Sequence, residues 1–276
     1  MAAPSLSACI VTYRPDPRLL ELALASLARS ILQARAAGAL GDARLFIVDN
    51  GEGDDELAGV TRALAKWPAG AAQVELVAGH GNVGYGRANN LALARAASDA
   101  HLIMNPDVEL EPDALRAGLQ ALRDHPEVGL VAPAALGDDG AMQYLCKRYP
   151  SVWVLFLRGF APAALRRRHE EAIAQYEMRD VIADRFVPRV PLASGCFMLA
   201  RTALLKRLDG FDPRYFMYFE DYDLSLRLGR EAQVAYVPAA RIRHHGGDAA
   251  RKGMRHVGWF VASAARFFAR HGWRLR

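Results

Sequence analysis

Three cysteines in 276 residues, Cys9, Cys146 and Cys196, are odd in number and lack metal-ligand spacing. That excludes a disulfide framework and a thiolate zinc site, and a reducing compartment with three packing cysteines is expected. No run approaches the ~18 consecutive apolar residues that a membrane-spanning helix needs, and the start of the chain reaches Arg14 too early for a signal peptide. A cytoplasmic location is therefore expected. Internal repeats are absent, and no linker divides the chain into independent domains. No nucleic-acid-binding motif occurs and the arginines are scattered, so no nucleic-acid partner is expected. What remains is 52% hydrophobic and 24% charged, enough for a full globular core. The formal charge of +5 and pI near 9.3 ask for an anionic partner, and charge alone does not choose among a nucleotide diphosphate, a phospholipid surface and nucleic acid.

The first half alternates short strands with helices. SLSACIVTY (5–13), ARLFIVDN (43–50), QVELVAG (73–79) and AHLIMNPDV (100–108) read as strands, each followed by a stretch with helical spacing. Four such alternations predict an α/β fold with a mostly parallel sheet and right-handed crossovers. Ligands in such sheets sit at the carboxyl ends of the strands, which puts Thr12, Asp49, Asn82 and Asp107 on one rim. The second half is less regular. Residues 146–190 read as a long excursion or helical insert, SGCFMLAR (194–201) as a buried strand, and QVAYVPAARIRHH (233–245) as a strand pair or a bent strand. The chain closes in an amphipathic helix, with Val257, Phe260, Val261, Ala264, Phe267 and Phe268 on one side.

Chemistry concentrates in three places. YFMYFEDYDLSLRLGR (215–230) gathers Glu220, Asp221 and Asp223 behind an aromatic run at the mouth of a helix, a setting for a general base. NPDV (105–108) follows one strand, and His244 with His245 follows another. A leaving diphosphate needs its charge neutralised, and a hard divalent cation held by a few protein groups and phosphate oxygens does this. Each feature also has a structural reading: a turn capping a helix for NPDV, a buried histidine for the pair, and an acidic helix start for EDYD.

Taken in order, IVTYRPD, IVDNG, GNVGYGRANN, IMNPDV, SGCFMLAR, FDPRYFMYFEDYDLSLR and RIRHHGG resemble the inverting family 2 glycosyltransferases of the GT-A fold. The resemblance is to bacterial rhamnosyltransferase-like members that build surface polysaccharides. It implies a mixed, mostly parallel central sheet flanked by helices with a C-terminal helical extension. A glycosyltransferase domain would span 1–250, with a nucleotide-sugar-binding half at 1–110 and an acceptor-binding half at 111–250, followed by the amphipathic helix at 251–276.

The resemblance also assigns roles. Asp221 matches the base, and Glu220 matches an acceptor-orienting partner. Asp223 is read as structural, reaching a neighbouring helix N-terminus. Thr12, Tyr13 and Arg14 match nucleoside contacts, Asp49 a carboxylate for the base imide, and Asn82, Arg87 and Asn89 the pyrophosphate side. Asp107 with His244, or His245, matches the ligands of a divalent cation, Mg or Mn. Asn105 stands where the family's metal motif has its first Asp, which puts its direct ligation in doubt and leaves it on the donor side. The implied partners are a dTDP or UDP sugar donor, rhamnose first, with UDP-galactofuranose and UDP-glucose as alternatives, and a glycan or lipid-linked acceptor. Homo-oligomerisation and peripheral contact with the inner face of the cell membrane are both compatible with the C-terminal helix and the insert at 152–168.

Three other functions would share parts of this sequence. Gly79, Gly81 and Gly84 spell the dinucleotide fingerprint with Asp99 downstream, but after the third strand rather than the first, so a dehydrogenase is a formal rival. A noncatalytic sugar-nucleotide binder would use the same scaffold without turnover. A nucleotidyltransferase would carry a Gly-rich, Arg- and Lys-bearing loop after strand one, and none is found.

Overall fold

The computed structural model describes residues 2–246 and 254–276. Gly247 of the RIRHHGG segment, and residues 251–253 at the expected start of the last helix, lie outside the described residues. The first half runs β1 (Leu6–Thr12), α1 (Pro17–Ala36), β2 (Ala43–Asp49), α2 (Asp54–Leu64), β3 (Gln73–Val77), α3 (Tyr85–Arg95) and β4 (Ala100–Met104). The middle carries β5 (Val108–Leu110), α4 (Ala114–Asp124), β6 (Val128–Leu136), β7 (Met142–Gln143) and β8 (Cys146–Lys147). Three short helices follow, α5 (Val152–Gly159), α6 (Ala163–Arg168) and α7 (Glu170–Tyr176). The chain ends with β9 (Leu192–Ala193), β10 (Phe197–Arg201), α8 (Thr202–Arg207), α9 (Glu220–Leu228), β11 (Gln233–His244) and α10 (Met254–His271).

Among the described residues one sheet runs β3-β2-β1-β4-β10-β6-β11-β5, with β7 beside β6. The strands β1 to β4 pair in parallel, as do β6 and β11. The strand β10 lies antiparallel between β4 and β6, so a late segment joins the early strands to the rest. Alternation along the strands sorts side chains to the two faces. Leu6, Ala8 and Ile10 of β1 go to the core under α1, α2 and α4, while Cys9 and Val11 go to the core under α3.

One element differs from the sequence reading, and one settles an alternative it left open. The run 100–108 is not one strand: Val108 N donates to Asn105 O (3.3 Å) and the Asn105-Pro106-Asp107 turn breaks it, so β5 turns away to pair with β11. A proline after Asn105 biases that residue against helix and its ring removes a ladder donor, which favours the break. Residues 233–244 form a single strand bent by an irregularity between Val237 and Arg241. On α10, Phe267 and Phe268 are buried as expected, whereas Val261 is exposed.

Candidate active site

The loop before α9 holds two consecutive bulky residues in a left-handed backbone. Tyr218 and Phe219 are consecutive residues in the left-handed region (φ 70° and 65°), each costing on the order of 1–3 kcal/mol for a bulky side chain. Packing sustains them: Tyr215 and Phe219 belong to an aromatic cluster with Phe267 and Phe268 of α10. The reversal delivers Glu220 and Asp221 to the first turn of α9.

Asp221 is fixed by backbone donors. Its Oδ2 accepts from Gly195 N (2.8 Å) and its Oδ1 from Tyr222 N (2.9 Å). Burial pushes its pKa above the ordinary carboxylate range, and those N–H donors limit the rise. Glu220 is pushed higher, by burial and then by the charge of Asp221, and its Oε2 has no partner. Burial thus raises both carboxyls, and as a contacting pair they titrate together, with Glu220 the more reluctant to ionise. A second network lies behind them. Tyr222 and Tyr176 share a hydroxyl hydrogen bond (2.8 Å), and the Tyr176 ring sits between Lys147 and Arg158 (5.7 and 5.5 Å), both paired with Glu177. Burial brings Lys147 down to about 7.

One dipeptide bridges to the other half of the site. Gly195 N holds Asp221, and Cys196 O accepts from Asn105 N (2.9 Å), which starts the turn carrying Asp107. Asp107 Oδ1 is buried without a hydrogen-bond partner and lies 3.7 Å from His244 Nε2. The imidazole is oriented by Gln143: the amide NH2 donates to His244 O (3.0 Å), which presents Oε1 to Nδ1 (2.8 Å). A proton on Nδ1 turns the Nε2 lone pair toward the carboxylate. Gly246 passes over this pair so closely that a Cβ there would strike Asp107 Oδ2. Two acceptors facing one another under a side-chain-free backbone fit a cation. Among the described residues no three His, Cys, Asp or Glu side chains converge on one point. His245 faces elsewhere, toward Asp138 (2.5 Å from Nδ1) and Glu109 (3.5 Å from Nε2).

At the rim, Thr12 and Asp49 end β1 and β2 in register, and the Thr12 hydroxyl donates to Asp49 Oδ1 (2.8 Å). Both are buried. A cleft of about 790 Å3 opens beside them, lined by Tyr13, Arg14, Asn82, Phe216, His256 and Trp259 among others. Asn82 Oδ1 accepts from Gly84 N (3.1 Å), a turn of the glycine loop. Arg87 Nε is given to Pro213 O (2.6 Å), and Asn89, buried in α3, donates to Tyr85 O. The sequence reading missed Gln143, Tyr85, Asn50 and the wall supplied by α10. Tyr85 OH donates to Gly195 O (2.7 Å), while Asn50 links Gly84 O and His80. Asn50 sits inside the quoted IVDNG segment, whereas an isolated Gln143 carries no sequence signal.

The model of the family described as "Glycosyl transferase family 2" matches residues 7–208. The chain belongs to this family. It is a nucleotide-sugar-dependent glycosyltransferase, with a nucleotide-sugar donor and a glycan or lipid-linked acceptor. An N-acetylglucosaminyl-diphospho-decaprenol L-rhamnosyltransferase of Mycobacterium tuberculosis is 32% identical over 250 residues, covering 85% of this chain and 74% of the relative. The rhamnosyltransferase WbbL of Escherichia coli is 29% identical over 208 residues, covering 69% and 72%. The solved mannosyltransferase PcManGT of Pyrobaculum calidifontis, in complex with GDP-Man and Mn2+, aligns with a TM-score of 0.59 at 18% identity. That alignment covers 96% of this chain and 65% of the mannosyltransferase, and it shows the shared GT-A fold. Family membership sets aside the dehydrogenase. The three fingerprint glycines are spent on a loop in which all have positive φ and Gly84 abuts Phe216 O.

Proposed function

We propose that the protein transfers L-rhamnose, with inversion, from a dTDP donor to a hydroxyl of a lipid-linked saccharide in bacterial surface polysaccharide synthesis. The observation that carries the mechanism is the Gly195-Cys196 dipeptide, which ties Asp221 on one side to the Asp107 turn on the other. The kinship with two rhamnosyltransferases, one named for a diphospho-decaprenol acceptor, supports the sugar and the carrier. In this reading Asp221 takes the proton from the attacking hydroxyl, and Glu220, neutral, orients the acceptor by donating from its unpartnered oxygen. Asp107 and His244 would hold a divalent cation, Mn or Mg, which neutralises charge on the departing diphosphate. Thr12 positions Asp49 toward the pyrimidine base, and Tyr13, Arg14 and Asn82 line the nucleotide cleft, with Asn105 and Arg87 nearby on the donor side. The half of the domain up to 110 serves the donor and residues 111–250 serve the acceptor. The lipid carrier would bring the enzyme to the inner face of the cell membrane as a peripheral protein.

The test is a transfer assay on a diphospho-lipid N-acetylglucosamine acceptor with dTDP-rhamnose, UDP-glucose, UDP-galactofuranose and GDP-mannose, each with Mn, Mg or chelator. Cation-dependent product from dTDP-rhamnose with inverted anomeric configuration is expected. Turnover of a UDP sugar alone would replace the donor, and retention at the anomeric carbon would overturn the role of Asp221.

A further inference from the structure

Apolar side chains left in water are unevenly spread over this molecule. Along α5 and the residue that caps its end, the exposed positions Val152, Phe156 and Phe160 (38%, 41% and 49% exposed) recur every four residues, forming one stripe. The chain terminus extends the stripe. Val152 N donates to Arg274 O (2.8 Å) and Trp153 N to Leu275 O (3.1 Å), so the tail caps the start of α5. That arrangement sets Trp273 and Leu275 (61% and 69% exposed) beside Val152, with the Trp273 ring stacked on Phe268 at 5.2 Å.

The segments that carry this stripe hold charge of one sign, while Glu170, Glu171 and Glu177 on and after α7 lie to one side of it. Segments 152–168 and 254–276 together hold nine arginines and no acidic residue, so the rest of the chain carries a formal charge of −4 against the total of +5. Arg166, Arg167 and Arg168 on α6, and Arg274 and Arg276 on the tail, are exposed next to the stripe. Arg158 is instead committed to Glu177, and Arg270 to Asp212 and Asp223. A protein partner would need acidic groups around an apolar strip, and a second copy would bring these arginines against their own kind. An anionic bilayer offers both a hydrocarbon interior for the aromatic stripe and negative headgroups for its flanks.

We propose that the α5 stripe and the C-terminal tail are a docking face for an anionic lipid bilayer, and that docking presents the catalytic carboxylates to the membrane surface. Phe160 contacts the Phe260 ring (6.2 Å), and Phe260 contacts Phe219 (5.2 Å), the residue before Glu220. Two aromatic layers thus separate the docking face from the carboxyl pair. The proposal rests on the lipid-linked acceptor read above only for the purpose of this orientation.

The test is co-sedimentation of the full chain with phosphatidylcholine vesicles, with and without phosphatidylglycerol. The wild type is expected to sediment with the anionic vesicles only, and Trp emission is expected to be quenched by brominated lipid, with the quenching reduced in Trp273→Phe. The pair Phe156→Glu and Phe160→Glu, and separately the triple Arg166→Glu, Arg167→Glu and Arg168→Glu, should each weaken partition by about tenfold or more. All five side chains are exposed, so unchanged melting curves and unchanged dTDP binding show that the variants remain folded. Failure of the wild type to bind anionic vesicles while dTDP still binds overturns the docking face and leaves the transferase reading standing. Vesicle binding without dTDP binding does the reverse. Self-association abolished by the Phe pair, with no vesicle binding, assigns the stripe to a second copy and also overturns the proposal.

Discussion

The two sides of the site are built by different means. On the donor side, Thr12 and Asp49 stand at the ends of two strands locked in a seven-residue parallel register, so the ladder itself sets their positions. On the acceptor side, Glu220 and Asp221 follow a left-handed reversal held by aromatic rings, and α9 is tied down by ion pairs. Asp223, fully buried, is hydrogen-bonded to Arg227 (2.7 Å) and His271 (2.8 Å) and ion-paired with Arg270 (3.0 Å). It therefore fastens the C-terminal end of α10 rather than a helix N-terminus. Topology places the donor groups, and individual side chains place the catalytic ones, so single substitutions should harm the two sides unequally.

The largest effect is expected for Asp221→Asn, a fall in kcat of about 10²–10⁴ with little change in donor affinity by calorimetry. Loss of donor binding in that variant would show that the two sides are not separable. Next comes Asp223→Ala, which leaves three cationic or donor groups facing an empty place. A loss of about 3–5 kcal/mol in urea unfolding is expected, carried by the acceptor side. On the donor side, Thr12→Val removes one hydrogen bond to Asp49 and should cost about 1–3 kcal/mol. Gln143→Ala frees the His244 ring and should weaken Mn affinity by about 10–100-fold, read by titration without turnover.

The smallest effect sharpens the contrast through pH. Glu220 has its pKa raised by burial and by Asp221, so the folded chain keeps a proton that the unfolded chain gives up. Its contribution to stability is complete below the ordinary glutamate value and is lost as pH rises through the folded one. Glu220→Gln should therefore melt like the wild type in acid and increasingly above it toward alkaline pH. A melting difference that shrinks with rising pH would contradict that assignment.

Much of the donor side was legible because short apolar runs ending in Thr12 and Asp49, and one stopping just before Asn105-Pro106-Asp107, report both strand and strand end. The break at Asn105-Pro106-Asp107 was harder, since apolar residues resume at Val108 and only pairing of β5 with β11 shows that the chain has turned away. On the acceptor side the EDYD cluster was visible, but its supports were not. Asp223 finds His271 forty-eight positions away, and Gln143 reaches His244 from a two-residue strand. Such partners are chosen by three-dimensional packing and leave no periodic trace. The exposure of Val261 has the same origin, because a helix wheel shows the apolar side without showing how far the neighbouring elements extend over it.

Gly84 carries a consequence for how such enzymes diversify. It packs against the Phe216 carbonyl, which Tyr85 N also meets (3.1 Å), so the glycine loop and the approach to α9 share one peptide-wide seam. A chimaera that takes its nucleotide half from one relative and its acceptor half from another inherits the two sides of that seam from different parents. Recombination should be productive only where the glycine and the backbone path opposite it are retained together, which makes this contact a filter on the exchange of sugar and acceptor specificities.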